Sequence, residues 1–295
     1  MTFKSGFVTI IGRPNVGKST LLNKLIGEKI SIVSDKAQTT RNKIQLIYTD
    51  DEAQIIFLDT PGVQSPKNEL GEYMLDASKS ALEEVDLIIM MVEAGEEFGR
   101  LDSMVFKELE KYQTPKILLI NKVDLVEEET LAHNIKSYEE TGVFKEIFPL
   151  SAEFDMDFER LTDLIKSYLE QGPLYYPEDM ITDQPERNII AEIIREKVLL
   201  NMDEEIPHGI AIEIVEISQR EDKDLVDVYA NIHVEKKSHK PMVIGKGGKM
   251  LGKIGKESRL DIEKLLGTKV NLKLWVKVSK DWRDKESQVK SFGYK

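Results

Sequence analysis

The sequence contains no cysteine, only 4 histidines and no long apolar run. The absence of cysteine excludes disulfide bonds and thiolate metal sites, as is usual in a reducing compartment. No segment approaches the roughly 18–20 consecutive apolar residues that a transmembrane helix requires. The apolar stretch near the N-terminus is too short for the core of a signal peptide. We therefore expect a soluble, cytoplasmic protein.

Basic residues are outnumbered by acidic ones overall but not at the C-terminal end. The formal net charge is −12 at pH 7. Residues 236–295 nevertheless carry 17 Lys and Arg against 6 Asp and Glu, whereas the preceding 235 residues carry 24 against 47. A solvated basic face is one explanation. An asymmetry of this size also favours nucleic acid or an anionic membrane as a partner of the basic end.

The length of 295 residues predicts about two domains. Apolar strand-like runs alternate with helix-length segments in the first part, which is typical of an α/β fold with a mostly parallel sheet. A stretch with three prolines and several acids then predicts a linker. The order helix, strand, strand, helix, helix, strand follows, as in an α+β domain. We predict a first domain at 1–171, a linker at 172–185 and a second domain at 186–295.

This division rests on short runs of consistent hydrophobic periodicity. Predicted strands lie at 7–11, 44–48, 55–58, 87–92, 116–120 and 147–150, with helices at 18–26, 74–84, 103–112 and 158–170. Beyond the linker, helices are predicted at 188–201 and up to 266, with strands at 210–218, 225–234 and 270–278.

The stretch GRPNVGKST follows the first predicted strand and precedes a predicted helix. It matches the phosphate-binding loop G-x-x-x-x-G-K-[ST], in which glycines allow backbone N–H groups to surround phosphates. The lysine reaches the β- and γ-phosphates, and the serine hydroxyl can bind Mg²⁺. The candidate nucleotide-binding residues are Gly12, Arg13, Pro14, Asn15, Val16, Gly17, Lys18, Ser19 and Thr20.

The stretch DTPG directly follows the predicted strand at 55–58. An aspartate at the end of such a strand can hold Mg²⁺ through a water molecule, and a glycine N–H can approach the γ-phosphate. Standing alone, DTPG could equally be a turn. Its position after the phosphate-binding loop favours a nucleotide site made of Asp59, Thr60, Pro61 and Gly62.

The stretch NKVD follows the apolar run at 116–120. The Asp124 carboxylate can accept two hydrogen bonds from guanine, a pattern that adenine does not offer. The site is therefore predicted to select guanine nucleotides. We expect Asn121 to bridge to the phosphate-binding loop and the Lys122 stem to cover the base. Ser151 and Ala152 place a backbone N–H near the guanine oxygen.

A polar loop at 34–44 lies between the first predicted helix and the second strand. In GTPases, a threonine in this region completes the coordination of Mg²⁺ only when the γ-phosphate is present. Thr39 and Thr40 are both candidates, and the pair could also cap a turn.

The ordered set GRPNVGKS, TTR, DTPG, NKVD and SA resembles the TrmE-Era-EngA-like branch of translational GTPases. The resemblance implies GTP hydrolysis in which Lys18 and Gly62 take part. It favours Thr40 over Thr39, so that Ser19, Thr40 and Asp59 would form the Mg²⁺ site.

The stretch VIGKGGKMLGKIGK near the C-terminus contains a GxxG sequence between predicted helices. In this order of elements it looks like a type II KH domain, whose GxxG loop clamps about four unpaired nucleotides. Residues 236–256 contain seven lysines and no acid, and 236–274 lack aromatic residues, which favours an aliphatic groove with Ile254 in its floor. The candidate RNA-binding residues are Ile244, Gly245, Lys246, Gly247, Gly248, Lys249 and Lys253.

One GTPase domain followed by one type II KH domain resembles the Era family over nearly the whole chain. The resemblance implies a monomer that binds GTP and GDP, contacts the 3′ end of 16S rRNA and assists assembly of the small (30S) ribosomal subunit. The sequence leaves two alternatives. One is a membrane-associated signalling GTPase, peripheral to the inner face of the cell membrane, whose KH-like module binds protein or lipid. The other is a P-loop kinase, against which NKVD argues.

Val63 follows DTPG at the position where Ras-like GTPases carry a glutamine that orients the attacking water. Related GTPases with this hydrophobic residue use a potassium ion held partly by a phosphate-loop asparagine, and Asn15 occupies that position. Asn15 therefore either binds K⁺ or only forms hydrogen bonds across the loop. The K⁺ cage would also need backbone carbonyls from residues 34–40.

Overall fold

The structure, a computed structural model, describes residues 2–34, 36, 38–83, 85–95, 100–154, 157–203, 206–221 and 223–294. The chain divides into two compact units. The N-terminal unit consists of Met1–Ser31, Thr40–Pro66 and Met74–Asp183. The C-terminal unit consists of Ile32–Thr39, Lys67–Tyr73 and Gln184–Lys295.

The N-terminal unit is built on a sheet with the strand order β2-β3-β1-β4-β5-β6. Neighbouring strands are parallel, except that β2 is antiparallel to β3. All residues of β3 and β5 are buried, because strands covered on both faces need apolar side chains on both. The strands are β1 (Lys4–Gly12), β2 (Ile44–Thr49), β3 (Ala53–Asp59), β4 (Leu87–Glu93), β5 (Lys116–Asn121) and β6 (Glu146–Pro149).

Helices connect the parallel strands of this sheet. The first of them lies between Gly17 and Gly27, and both flanking glycines are in the left-handed conformation that favours glycine at helix ends. The helices are α1 (Lys18–Ile26), α2 (Glu69–Ser80), α3 (Arg100–Leu109), α4 (Glu128–Glu139) and α5 (Phe158–Tyr168).

The C-terminal unit contains a sheet with the order β7-β8-β9, in which β7 is antiparallel and β9 parallel to β8. The longest helix buries Ile254, Ser258 and Ile262, which lie four residues apart on one helical face. The elements are α6 (Glu186–Asn201), β7 (Ala211–Gln219), β8 (Leu225–Val234), α7 (His239–Ile244), α8 (Lys249–Leu266), β9 (Lys269–Val278) and α9 (Glu286–Ser291).

Part of the predicted linker lies along the strands of the N-terminal unit. The Gln54 side chain accepts the N–H groups of Tyr175 and Tyr176 at 2.8 and 2.9 Å. The N–H of Ile47 donates to the Ile181 carbonyl at 2.9 Å. These bonds explain how a segment rich in proline and acid can be ordered, since its backbone groups find partners on an existing sheet.

The predicted fold class is confirmed for both parts of the chain. The helix predicted at 74–84 begins earlier, as α2, and its predicted last residue lies outside the described residues. Helix α4 was not predicted. Leu131, Ile135 and Tyr138 pack on its inward face, but this apolar row is short and lies beside the buried polar Asn134 in a strongly charged segment. In the part of the chain that the structure describes, no helix has the length and hydropathy needed to cross a bilayer.

Candidate active site and nucleic-acid interface

The phosphate-binding loop joins β1 to α1 and requires its two glycines for steric reasons. A Cβ at Gly12 would lie 2.3 Å from the Met91 carbonyl oxygen, and one at Gly17 would lie 2.2 Å from Asn121 Nδ2. Gly17 also has a φ of 105°. Any other residue at either position would push the loop away from the strands that support it.

The Lys18 side chain is enclosed by the backbone of that loop. Its Nζ donates to the carbonyls of Gly12 and Arg13 at 3.2 and 2.8 Å. Burial lowers the pKa of Lys18 to about 8, while the nearby Asp59 carboxylate acts in the opposite direction. A phosphate anion beside this ammonium group would raise its pKa again, so the site favours an anionic ligand.

Three oxygen-bearing side chains from separate segments converge next to this lysine. Ser19 Oγ lies 3.0 Å from Thr40 Oγ1 and donates to Asp59 Oδ2 at 3.0 Å. Asp59 is 0% exposed, its Oδ1 has no hydrogen-bond partner among the described residues, and burial raises its pKa against the opposing effect of Lys18. Oxygen ligands of this kind suit Mg²⁺. Across the described residues, no group of three or more His, Cys, Asp or Glu side chains could hold a metal ion.

Asn121 at the end of β5 connects two loops of the site. Its Nδ2 donates to the Val16 carbonyl at 2.7 Å, and its Oδ1 accepts the N–H of Ala152 at 2.9 Å. The phosphate-binding loop and the Ser151–Ala152 segment are therefore held at a fixed spacing by one amide side chain. Ser151 is buried alongside.

The NKVD segment turns sharply after this asparagine. Lys122 has a φ of 63°, and its Nζ forms an ion pair with Glu93 at 2.6 Å. Asp124 follows in a short 3₁₀ turn and is exposed. The exposed carboxylate is accessible to a base, whereas the Lys122 stem is fixed at its far end.

The DTPG segment packs tightly against the phosphate-binding loop. A Cβ at Gly62 would lie 2.6 Å from the Pro14 nitrogen. Thr60 Oγ1 donates to the Ile10 carbonyl at 2.8 Å, so its hydroxyl serves the backbone. Val63 is buried and its N–H donates to the Gly12 carbonyl at 3.1 Å. The side chain after DTPG therefore lies in the core and not above the site.

Of the other predicted loop residues, Val16 is buried, Asn15 is exposed with a φ of 68°, and Thr20 lies in α1.

The structure adds one contact that the sequence did not suggest. Arg13 Nε forms an ion pair at 2.9 Å with Asp102, a residue of α3 that is 1% exposed. A buried aspartate opposite an arginine 89 positions earlier leaves no signature in spacing. Asp35 and Ala37 of the predicted polar loop lie outside the described residues.

The GxxG loop of the C-terminal unit lies between α7 and α8. Gly245, Gly247 and Gly248 have φ values of 74°, 60° and 78°. A Cβ at Gly245 would lie 2.6 Å from Met250 Cβ, whereas a Cβ at the other two glycines would meet nothing within 4 Å. The backbone at Gly247 and Gly248 is therefore bare and open to a ligand.

Side chains around this loop present positive charge. Lys246, Lys249 and Lys253 are exposed, and Ile244 is half-buried. The expected contribution of Ile254 to the groove floor is wrong, because Ile254 is 0% exposed and belongs to the core under α8. Trp275 of β9 is 48% exposed.

Comparison with known proteins matches both parts of the chain. A family model described as 50S ribosome-binding GTPase matches residues 7–122, and a KH-domain model matches residues 205–283. GTPase Era of Alkaliphilus oremlandii (strain OhILAs) is 55% identical over 294 residues, covering 100% of both chains. GTPase Era of Clostridioides difficile (strain 630) is 53% identical over 293 residues, covering 99% of both. The chain belongs to the Era family.

Two solved structures of the Era family cover 99% of this chain and of their own, each with a TM-score of 0.96 and 41% identity. One is a variant of Era from Aquifex aeolicus bound to GDP·AlF₄⁻. The other is Era in complex with MgGDPNP and nucleotides 1506–1542 of 16S ribosomal RNA. The chain is a GTPase with a KH domain, and the P-loop kinase alternative is wrong.

Proposed function

We propose that this GTPase is a molecular switch that binds single-stranded RNA at the 3′ end of 16S rRNA and assists assembly of the small ribosomal subunit as a cytoplasmic monomer. Residues 1–171 form the catalytic domain, 172–185 the linker and 186–295 the RNA-binding domain. One observation carries the proposal. An Era protein that matches 99% of this chain binds a GTP analogue and a 16S rRNA fragment.

The nucleotide is held by the residues predicted from the sequence. The loop backbone from Gly12 to Thr20 surrounds the phosphates, and Lys18 neutralises them. Asp124 accepts hydrogen bonds from guanine, while the backbone of Ser151 and Ala152 faces the guanine oxygen. The Asn121 bridge supports this assignment, because it sets the distance between the base-binding and phosphate-binding loops.

Ser19, Thr40 and Asp59 form the Mg²⁺ site. The 3.0 Å separations between their oxygens and the unpartnered, buried Asp59 Oδ1 fit a cation at this position. When bound, Mg²⁺ supplies positive charge at the β- and γ-phosphates. Thr39 is the less suitable threonine, since its Oγ1 lies 2.6 Å from the Lys36 carbonyl and donates to it.

Asn15 is proposed as a ligand of K⁺. The buried Val63 has no group that could orient the attacking water. Asn15 is exposed on the loop that surrounds the phosphates, where a monovalent cation would add positive charge beside the β- and γ-phosphates.

The RNA site is the bare backbone of the GxxG loop with its neighbouring lysines. Phosphate oxygens can approach Gly247 and Gly248 because a Cβ is absent and the surrounding space is open. Lys246, Lys249 and Lys253 attract the anionic strand. The alternative is that these lysines contact a membrane peripherally, and the experiment must distinguish membrane binding from RNA binding.

The test is the RNA affinity of Gly247→Asp. Aspartate tolerates the left-handed conformation better than most residues, so the fold is expected to survive while a carboxylate enters the clamp. The loss of even one charge-assisted contact corresponds to ~1.5–3 kcal/mol, or about tenfold in affinity or more. The affinity for a single strand with the sequence of the 16S 3′ end is measured by filter binding, and intrinsic GTP hydrolysis is expected to stay near that of the wild type.

Gly267→Asp is the matched control. Gly267 has a φ of 64° and open space around it, like Gly247, but it follows the far end of the 18-residue helix α8. The substitution changes the charge equally and should leave RNA binding intact. An RNA affinity of Gly247→Asp within about twofold of wild type would place the clamp elsewhere. Binding to anionic vesicles in preference to RNA would support the membrane alternative.

A further inference from the structure

Helix α6 carries an arginine that is completely buried. Arg195 is 0% exposed, and its Nε donates to Glu192 Oε1 at 2.9 Å on the same helix. Burial by itself would lower the pKa of Arg195, but the Glu192 carboxylate, together with smaller effects of Tyr294 and Glu196, raises the pKa. The guanidinium therefore stays charged, and its remaining N–H groups need acceptors.

Two of those N–H groups bind the backbone of the segment Ile32–Thr39, which belongs to the same unit as α6. Nη1 of Arg195 donates to the Gln38 carbonyl at 3.2 Å, and Nη2 donates to the carbonyl of Thr39. A planar guanidinium can hold two consecutive carbonyls at once, which a lysine cannot do in the same geometry.

The neighbouring residue of α6 holds the other end of the segment. Glu196 is 1% exposed, and its Oε1 accepts the N–H of Val33 at 3.0 Å. Its Oε2 accepts from Lys197 Nζ at 2.9 Å, and Lys197 is paired with Asp261 at 2.6 Å. Consecutive helix residues thus fix the beginning and the end of residues 33–39.

The contact with Thr39 bears directly on Thr40. The carbonyl of Thr39 lies in the same rigid peptide plane as the nitrogen and Cα of Thr40. Fixing that carbonyl therefore fixes the point from which the Thr40 side chain starts. Thr40 Oγ1 lies 3.0 Å from Ser19 Oγ, within the proposed Mg²⁺ site.

We propose that Arg195 is a positioning residue for GTP hydrolysis, which holds the Gln38 and Thr39 carbonyls so that Thr40 is aligned with Ser19 and Asp59. This inference rests on the proposed role of Thr40. A positioning role for Arg195 predicts an effect that a purely structural role does not. Because Thr40 is needed only when the γ-phosphate is bound, loss of Arg195 should impair the GTP state and spare the GDP state.

The experiment compares Arg195→Met, which keeps the bulk but removes the donors, with Arg195→Lys, which keeps one charged donor. Single-turnover GTP hydrolysis is measured together with the affinities for GDP, for a non-hydrolysable GTP analogue and for single-stranded RNA. We expect Arg195→Met to hydrolyse GTP about tenfold more slowly or worse, and Arg195→Lys to recover part of the rate. GDP and RNA affinities should stay within about twofold of wild type.

Arg187→Lys is the matched control, since Arg187 lies on the same helix and also donates to a backbone carbonyl, that of Ile214 in β7, at 2.7 Å. Its hydrolysis rate should equal that of the wild type. If Arg195→Met fails to fold, Glu192→Gln tests the same point, because it removes the charge that aligns the guanidinium.

Equal hydrolysis rates in wild type, Arg195→Lys and Glu192→Gln would overturn the inference. Parallel losses of GDP, RNA and GTP-analogue binding would do the same, since they would show a structural role only. The variant Thr40→Ala distinguishes a failure of the positioning role of Arg195 from a failure of the proposed Mg²⁺ site. If Thr40→Ala is slow and the Arg195 variants are not, only the positioning role fails; if Thr40→Ala is as fast as wild type, the role of Thr40 itself is wrong.

Discussion

At the scale of single residues, Asp124 gives the sharpest test of the proposed guanine-binding site. It lies exposed, three positions after the buried Asn121 that fixes the loop. In Asp124→Asn, an amide donor faces the guanine donors, so GTP affinity should fall by about tenfold or more, while xanthine nucleotide, which offers an acceptor at that position, should bind better.

Competition binding with GTP and XTP measures this change of preference. Asp51→Asn, at an exposed turn between β2 and β3, removes the same charge away from the site and should bind GTP normally. Unchanged GTP affinity in Asp124→Asn would show that the base is read by another group.

Residues whose chemistry depends on local sequence could be predicted, and residues that act through distant contacts could not. The spacing of Gly12, Gly17 and Lys18 follows from the geometry of a loop around phosphates, and the structure shows why a Cβ is excluded at both glycines. The contacts of Asp102 with Arg13, and of Arg195 with Thr39, join residues far apart in sequence. Neither contact has a spacing rule that the sequence could reveal.

At the scale of elements, the phosphate-binding loop has a testable ion dependence. Asn15 has a φ of 68°, so replacement by alanine would add backbone strain, whereas Asn15→Gly removes the amide without it. If the amide oxygen binds K⁺, wild-type hydrolysis should be faster in potassium than in sodium at equal ionic strength. Asn15→Gly should be slow in both salts.

Single-turnover hydrolysis in the two salts is the measurement, and GDP affinity is the control for an intact loop. Equal wild-type rates in potassium and sodium would exclude the K⁺ role. Asn15 would then act only through hydrogen bonds across the loop.

Elements with a strong apolar period were predictable, and those with polar contacts were not. Strands β3 and β5 are buried along their whole length, and their sequences show it. Helix α4 packs only Leu131, Ile135 and Tyr138 against the core. It also buries the polar Asn134, whose Oδ1 accepts the N–H of Gly95 at 2.9 Å, so its apolar period is weak. The segment predicted as a linker likewise forms hydrogen bonds to Gln54, which composition does not reveal.

At the scale of the whole molecule, the charge distribution indicated two parts with different ligands. The basic C-terminal 60 residues contain the GxxG loop, and the acidic remainder contains the nucleotide site. The order of the two parts was therefore predictable from sequence. The grouping of Ile32–Thr39 with the C-terminal unit could not be predicted. The segment's hydrogen bonds to Arg195 and Glu196 join residues far apart in sequence.

The proposed action of this GTPase on the 3′ end of 16S rRNA can be tested by crosslinking the protein to RNA in cells and sequencing the attached fragments. Wild type and Gly267→Asp should yield fragments concentrated at the 3′ end of 16S rRNA, and Gly247→Asp should lose them. Fragments distributed in proportion to RNA abundance, or concentrated on another RNA in all three proteins, would contradict the account.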